Sequence, residues 1–240
     1  MSFYLSDKKS FNDVKRNVTL PSKYSFKFIE FLGILTGDGY INYYPKSSGY
    51  IIEISGNYLT DREYLLGYVS KLIKTLFNIY PCVYFSKREK CMYLRIKSKL
   101  IFQFLKSCNF PEGKKGQILI PEFIKNSNSS MVAFTRGFFD TDGSLSIKKS
   151  KRTVIHITSI SKFLMLDIRD WLISRGYTVS FCKSLHLNYK SNSTLYDIYL
   201  SSKSSLFLWF SDIGSNNIKH IKKWEKIKWA ERDLNLIADI

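Results

Sequence analysis

Two segments of this 240-residue chain repeat one another at a fixed distance. Phe31-Leu-Gly-Ile-Leu-Thr-Gly-Asp38-Gly39 is matched 104 residues later by Thr135-Arg-Gly-Phe-Phe-Asp-Thr-Asp142-Gly143. Gly33 then falls on Gly137, Asp38 on Asp142 and Gly39 on Gly143. The same offset returns downstream, where Ile96-Lys-Ser98-Lys99 lies over Leu200-Ser-Ser202-Lys203 and both run into apolar stretches. Taken singly, each Asp-Gly reads as a turn. A second, distant match at the same offset points instead to a duplicated unit of about half the chain.

One copy reads as helix, two strands, helix, two strands, helix. Ser25 to Gly37 carries Phe28, Ile29, Leu32 and Leu35 at helical spacing, with Ser25 in the N-cap position. The helix should stop at the breaker pair Asp38-Gly39. Tyr40–Pro45 and Tyr50–Ser55 read as strands, Asp61–Phe77 as an amphipathic helix, and Val83–Ser86 and Met92–Ile96 as a second hairpin. Leu100–Cys108 closes the copy.

The second copy follows with a helix at Ser130–Thr141 and strands at Leu145–Ile147 and Val154–Thr158. A helix at Ser161–Arg175, strands at Thr178–Leu185 and Leu195–Leu200, and a helix at Ser204–Phe210 complete it. The expected domains are residues 1–115, a linker at 116–130 within a join, Pro111–Ser130, that holds Pro, Gly, Lys, Asn and Ser, and residues 131–240 with a basic C-terminal helix outside the repeat from Asn217 onward. Hairpins in place of crossover units give an α+β class.

Gly33 and Gly37 lie one turn apart on the first motif helix, and Gly137 and Thr141 hold the same places on the second. Glycine inside a helix costs about 1 kcal/mol against alanine. Small residues at matching places therefore predict that the two helices pack closely against each other. Packed side by side, they bring Asp38 and Asp142 together beside unsatisfied helix-end carbonyls. Such an oxygen-rich pocket suits Mg²⁺, which takes carboxylates and phosphate oxygens. Metal held there could activate water and stabilise the leaving oxygen of a phosphodiester.

Charge points the same way. Lys and Arg number 37 against 20 Asp and Glu, a net of +17, shared as +10 over residues 1–120 and +7 over residues 121–240. A polyanion lying across the whole chain suits this spread. A Lys-rich solvated surface, of the kind an A+T-rich coding sequence produces, gives the same arithmetic. A hydrophobic content of 45% excludes intrinsic disorder. No apolar run is long enough to span a bilayer, and residues 1–20 hold no secretory h-region. Cys82, Cys91, Cys108 and Cys182 lack zinc or redox spacing and suit an intracellular, reducing compartment, either an organelle (mitochondrion or chloroplast) or a prokaryotic cytoplasm. No phosphate-binding glycine loop and no Ser/His/Asp set appears, which disfavours a small-molecule enzyme. His156, His186 and His220 are dispersed. With Met1 at one end and no terminal splicing Asn at the other, the chain reads as free-standing.

The two motifs resemble the double motif of the single-chain LAGLIDADG homing endonucleases. The second copy keeps Gly137, Asp140, Asp142 and Gly143, whereas the first has Thr36 where the motif has its earlier Asp. The resemblance implies two pseudo-symmetric αββαββα repeats packed through the motif helices, with antiparallel sheets forming a DNA-binding saddle. It implies a monomer that cuts both strands of a long, asymmetric DNA site in intron homing. Asp38 and Asp142 would be the metal-binding catalytic acids, with the carbonyls of Gly37 and Thr141 as further ligands. Mg²⁺ would serve catalysis, and Mn²⁺ or Ca²⁺ could replace it in binding. Family members often place Lys or Gln beside the pocket. Ser55 or Asn57, and Thr158 or Ser159, stand there in this chain, and Lys97 could supply the charge. DNA-reading candidates in the first half are Asn42, Tyr44, Lys46, Tyr50, Lys87, Arg88, Arg95 and Lys97. In the second they are Ser144, Ser146, Lys148, Lys151, Arg152, His156, Lys183, His186 and Tyr199. Arg and Lys pair with guanine and Asn with adenine in the major groove. The competing reading is a non-cleaving nucleic-acid binder, either an RNA maturase acting on intron RNA or a transcription regulator.

Overall fold

A computed structural model describes residues 9–47, 49–147, 152–188 and 191–227. The first half runs α1 (Phe11–Lys15), α2 (Phe26–Asp38), β1 (Gly39–Tyr44), β2 (Gly49–Asn57), a π-helical segment (Tyr64–Val69) leading into α3 (Ser70–Phe77), β3 (Cys82–Ser86), β4 (Cys91–Lys97) and α4 (Lys99–Ser107). The second runs α5 (Glu122–Lys125), α6 (Asn128–Asp142), β5 (Gly143–Ile147), β6 (Thr153–Ser159), α7 (Lys162–Ser174), β7 (Ser180–Asn188), β8 (Ser191–Leu200) and α8 (Lys203–Asp212). Residues 218–227 are again helical. The short helices α1 and α5 have no counterpart in the sequence reading. The expected helix over Asp61–Phe77 begins with the wider π winding instead of a regular α-turn.

Each half holds a four-stranded antiparallel sheet, ordered β1-β2-β4-β3 in the first and β5-β6-β8-β7 in the second. The fold is therefore α+β with two pseudo-symmetric halves. Strand alternation sets the faces. On β4, Met92, Leu94 and Ile96 are buried, while Tyr93, Arg95 and Lys97 point the other way. The buried faces pack against helices, and the remaining faces stay open.

At the centre, α2 packs along α6. Residues Phe28 to Thr36 of α2 are buried without interruption, as befits a helix covered on all sides. Phe31 meets Phe77 edge-on at 5.3 Å, and Phe139 of α6 meets Trp209 at 4.9 Å, tying each motif helix to the outer helices of its own half. Ser25 takes the N-cap position of α2, but its hydroxyl makes no capping bond; Ser127 does cap α6, accepting from the Ser130 amide.

Candidate active site

The glycines decide how close the motif helices come. A Cβ on Gly33 would sit 2.1 Å from the Phe134 carbonyl oxygen, and one on Gly137 would sit 2.2 Å from that of Glu30. Gly37 faces Thr141, whose hydroxyl lies 2.0 Å from where a Gly37 Cβ would be. Each helix then passes into its first strand with no loop. Gly39 and Gly143 have ordinary negative φ, so space and not backbone freedom demands glycine: a Cβ would come within 2.4 Å of the Leu35 Cα or the Phe139 carbonyl.

This geometry sets Asp38 and Asp142 side by side as the last residues of α2 and α6. A Cβ on Gly37 would also lie 3.3 Å from the Asp142 carboxyl carbon, directly across the helix pair. Among the described residues, neither carboxylate accepts a hydrogen bond or joins a salt bridge. Burial pushes Asp38 up to about 6, against the lowering charge of Lys115. Burial and the neighbouring Asp38 push Asp142 up to about 7. Two half-enclosed carboxylates with no partner form an acceptor pair in want of a cation.

Two lysines flank the acids. Lys115 donates from Nζ to the carbonyls of Leu35 (3.1 Å), Thr36 (2.9 Å) and Gly37 at the end of α2. Burial lowers its pKa, opposed by Asp142 and Asp38. Lys219 stands on the other side, 2.7 Å from Asp61. Burial raises the Asp61 pKa, but the Lys219 hydrogen bond and charge outweigh it and hold the carboxyl below the ordinary range. Lys97 does not fill this role. It ends β4 opposite Ile51, three register positions beyond the Ile54–Leu94 pair that lies beside Gly39. The sequence held the better signal, since Lys115 and Lys219 are themselves 104 residues apart. One was hidden in the linker and the other in a helix assigned outside the repeat.

The polar strand ends are divided. A cavity of about 270 Å³ beside Asp142 is lined by Thr36, Gly37, Lys115, Thr158 and Ser159 among others. On the Asp38 side, the Ser55 hydroxyl donates to the Asp38 carbonyl at 3.3 Å. Asn57 is turned away from water activation, its side-chain oxygen accepting from the Leu59 amide at 2.8 Å. Thr141 bonds back to the Phe138 carbonyl at 2.9 Å.

Asp140 explains the asymmetry with Thr36. It accepts from the Ser215 hydroxyl and from the Asn216 amide at 2.8 Å, anchoring the segment that leads to Lys219. Burial pushes it up to about 7 even against these bonds. Asn216 also donates to Glu30 (2.7 Å), which accepts from Tyr68 at 2.5 Å, so the second half's tail is fastened to the first half's motif helix. Thr36, at the matching place, turns its hydroxyl to the Leu32 carbonyl.

On the open face of the first sheet, Tyr40, Glu53 and Arg95 form one cross-strand row. Arg95 pairs with Glu53 at 2.6 Å and lies over the Tyr84 ring at 4.7 Å. Asn42, Tyr44 and Lys97 share that face. The second sheet has Ser144, His156 and Tyr199 in the matching row, with Ser146 two positions along. His156 stacks on Tyr199 at 4.4 Å, and its Nε2 is 2.8 Å from Asp197. Lys46, Lys87, Arg88 and Arg152 are exposed in the connecting turns. Two candidates fall on the wrong face. Tyr50 shares the face of Ile52 and Ile54 and stacks on Tyr43 at 4.5 Å. Lys183 pairs with Tyr196, between Phe181 and Leu185 on the helix-side face of β7. Period two explains both, because a one-residue error in register reverses a side chain. Lys148, Lys151 and the His186 side chain lie outside the described residues.

The donor set fits a hard divalent ion: two unpartnered carboxylates beside the carbonyl-rich ends of two helices. Among the described residues no cluster of three or more His, Cys, Asp or Glu is placed to hold a metal, so carbonyl and ligand oxygens would have to complete the shell. Among the same residues, no helix is long and apolar enough to cross a membrane.

Comparison with known proteins finds relatives of part of the chain and structures of similar fold. Residues 129–213 match the LAGLIDADG-like domain. Over 218 residues the chain is 25% identical to the replication factor C small subunit of Methanocaldococcus jannaschii, covering 90% of this chain and 11% of that protein. The chain thus spans about a tenth of that relative's length. The homing endonuclease I-DmoI in complex with DNA and Mn has a similar fold, with a TM-score of 0.54 and 20% identity over 80% of this chain and 97% of that one. I-WcaI bound to its DNA recognition sequence gives 0.53 and 15% identity over 84% and 85%. The second half of the chain thus matches the LAGLIDADG-like domain, and the fold with its two crossed motif helices is similar to those of the homing endonucleases I-DmoI and I-WcaI.

Proposed function

We propose that the chain is a homing endonuclease: a site-specific DNA endonuclease that makes a divalent-metal-dependent double-strand break at a long asymmetric site. The observation that carries this reading is the pair Asp38 and Asp142, unpartnered at the joined ends of α2 and α6, between two antiparallel sheets with open polar faces. Support comes also from I-DmoI and I-WcaI, homing endonucleases of similar fold that were solved on DNA.

Asp38 and Asp142, with the carbonyls of Gly37 and Thr141, would hold Mg²⁺, which when bound lowers the pKa of water and offsets charge on the phosphate. The chain's own groups do the rest. Lys115 and Lys219 approach the phosphates from either side and attract their charge. Thr158 and Ser159 in the cavity, and Ser55 opposite, order water. Arg95, Asn42, Tyr44, Ser144, His156 and Tyr199 face the major groove, while Lys46, Lys87, Arg88 and Arg152 meet backbone phosphates. The net charge of +17 draws the duplex onto these faces. The chain acts as a monomer, since both acids come from one polypeptide. Its four free cysteines suit a reducing compartment.

The test is incubation of the full chain with a plasmid carrying the uninterrupted form of the gene that encodes it, with and without Mg²⁺. Linear product only with metal supports the reading. Tight binding with intact DNA under all conditions would favour the binding-only alternative.

A further inference from the structure

The strands of each sheet carry one acid, Glu53 on β2 and Asp197 on β8, and both stand on the face that would meet a polyanion. A carboxylate there opposes binding, so its bonds show what it does instead. Glu53 accepts from the Arg95 Nε at 2.6 Å, and the Arg95 guanidinium lies over the Tyr84 ring at 4.7 Å. Among the described residues, neither Nη of Arg95 makes a hydrogen bond. A guanidinium tied through Nε and stacked on a ring presents its two Nη groups as a fixed fork. In the major groove that fork matches guanine O6 and N7. The tie also keeps Arg95 from swinging to the nearest phosphate, a contact that carries no sequence information.

The second half puts other groups in this row. At the 104-residue offset from Arg95 stands Tyr199, which pairs with His156 and Ser180 as Arg95 pairs with Glu53 and Cys82. Its ring stacks on His156 at 4.4 Å. The buried Asp197 lies 2.8 Å from the His156 Nε2 and accepts from the Ser184 hydroxyl at 2.5 Å. An aromatic pair thus occupies the place of the fork, and the two halves present different chemistry to equivalent base pairs.

We infer that Glu53 is a positioning residue that holds Arg95 to read one guanine in the arm of the DNA site lying on the first sheet, with no matching guanine in the other arm. Ser55, Tyr93 and Tyr84 form the row nearest the acids, since Ser55 donates to the Asp38 carbonyl, so the guanine falls at the next row outward. Glu53 gives up affinity for DNA in general and gains selectivity at this base pair. The inference deepens the site-specific DNA-binding reading above and rests on it.

The test selects duplexes from a randomised pool with the full chain in Ca²⁺, then changes the consensus one base pair at a time and reads binding. The wild type should prefer guanine by about 30-fold at one pair of one arm, and show no guanine preference at the pair related by the pseudo-twofold. Arg95→Ala and Arg95→Met should both lose that preference and keep the others; the methionine retains an apolar stem over Tyr84. Glu53→Ala should cut the preference to about threefold while strengthening binding to unrelated DNA by roughly the same factor. Glu53→Gln keeps an acceptor for Nε, so it should strengthen that background binding yet hold most of the preference. Melting curves establish that each variant folds, and Glu53→Asp, whose shorter reach also breaks the bond, replaces Glu53→Ala if that variant does not. An unchanged guanine preference in folded Arg95→Met or folded Glu53→Ala, or matching guanines in both arms, would overturn the inference while leaving site-specific binding intact. No consensus from the wild type would overturn both.

Discussion

Gly33 and Gly137 cross where neither motif helix leaves room for a side chain, each facing the backbone carbonyl of the other helix's preceding turn. Backbone on one side and a buried aromatic core on the other leave nothing that can yield. Gly33→Ala should therefore destabilise by about 3 kcal/mol, the upper part of the usual overpacking range. That corresponds to a fall of about 6–12 °C in Tm for a chain of this size. Gly67→Ala is the control: nothing lies within 4 Å of its added carbon, and alanine should raise stability by up to about 1 kcal/mol. Thermal melts of the two variants, read against the wild type, check both signs.

The acid pair should cost stability when no metal is present. Burial pushes Asp38 up to about 6, and burial together with the charge of Asp38 pushes Asp142 up to about 7. At pH 7.5 in chelator, Asp38→Asn and Asp142→Asn should each raise Tm by roughly 2–4 °C, the equivalent of about 1 kcal/mol. Added Mg²⁺ should stabilise the wild type and do little for either variant. Melting curves with and without the ion measure this.

The turn lysine and arginine should act through charge alone. Lys87 and Arg88 are exposed between β3 and β4, on no cross-strand row. Replacing both with alanine should weaken binding about equally for every DNA sequence. It should also lower the slope of log K against log salt by roughly 2, about 0.9 for each phosphate no longer neutralised. Fluorescence titration between 50 and 200 mM salt, a range of roughly that in which such slopes are read, gives the number.

His220 should make the fold sensitive to acid. Its ring stacks on Phe139 at 4.6 Å, and neither nitrogen has a partner among the described residues. Burial, with Lys219 and Lys223 nearby, holds its pKa down to about 3 from 6.5. Between those values the unfolded chain takes up a proton that the folded chain refuses, so stability falls as pH drops below about 6.5. Asp38, Asp140 and Asp142 act oppositely. Their raised values make the folded state the better proton binder between about 7 and 3.8, and it gains stability over that range. His220→Phe should remove the first effect alone. Its Tm should rise relative to wild type from pH 7 to pH 5; a difference independent of pH would contradict the assignment.

Much of this was legible in the residues. The 104-residue offset announced the duplication, and Gly33 and Gly137 announced the helix crossing, because glycine at matching helical places has few other reasons to persist. The acids followed from that crossing. What the sequence hid was long-range. Lys115 and Lys219 reach the acids through segments that look like a linker and a tail, and only tertiary packing brings them back. Tyr50 and Lys183 show the cost of reading faces from strands whose register is not yet known. The π winding over Tyr64–Val69, from which Tyr68 meets Glu30, leaves the same apolar pattern as an α-helix and so could not be told from one.

Cleavage and binding measured side by side test the role of the acid pair most directly. Wild type, Asp38→Asn and Asp142→Asn would be incubated with the uninterrupted-gene plasmid in Mg²⁺, with binding to the same DNA measured in Ca²⁺. Double-strand breaks by the wild type alone, with binding kept in both variants, are the predicted result. A full double-strand break by either variant would contradict it.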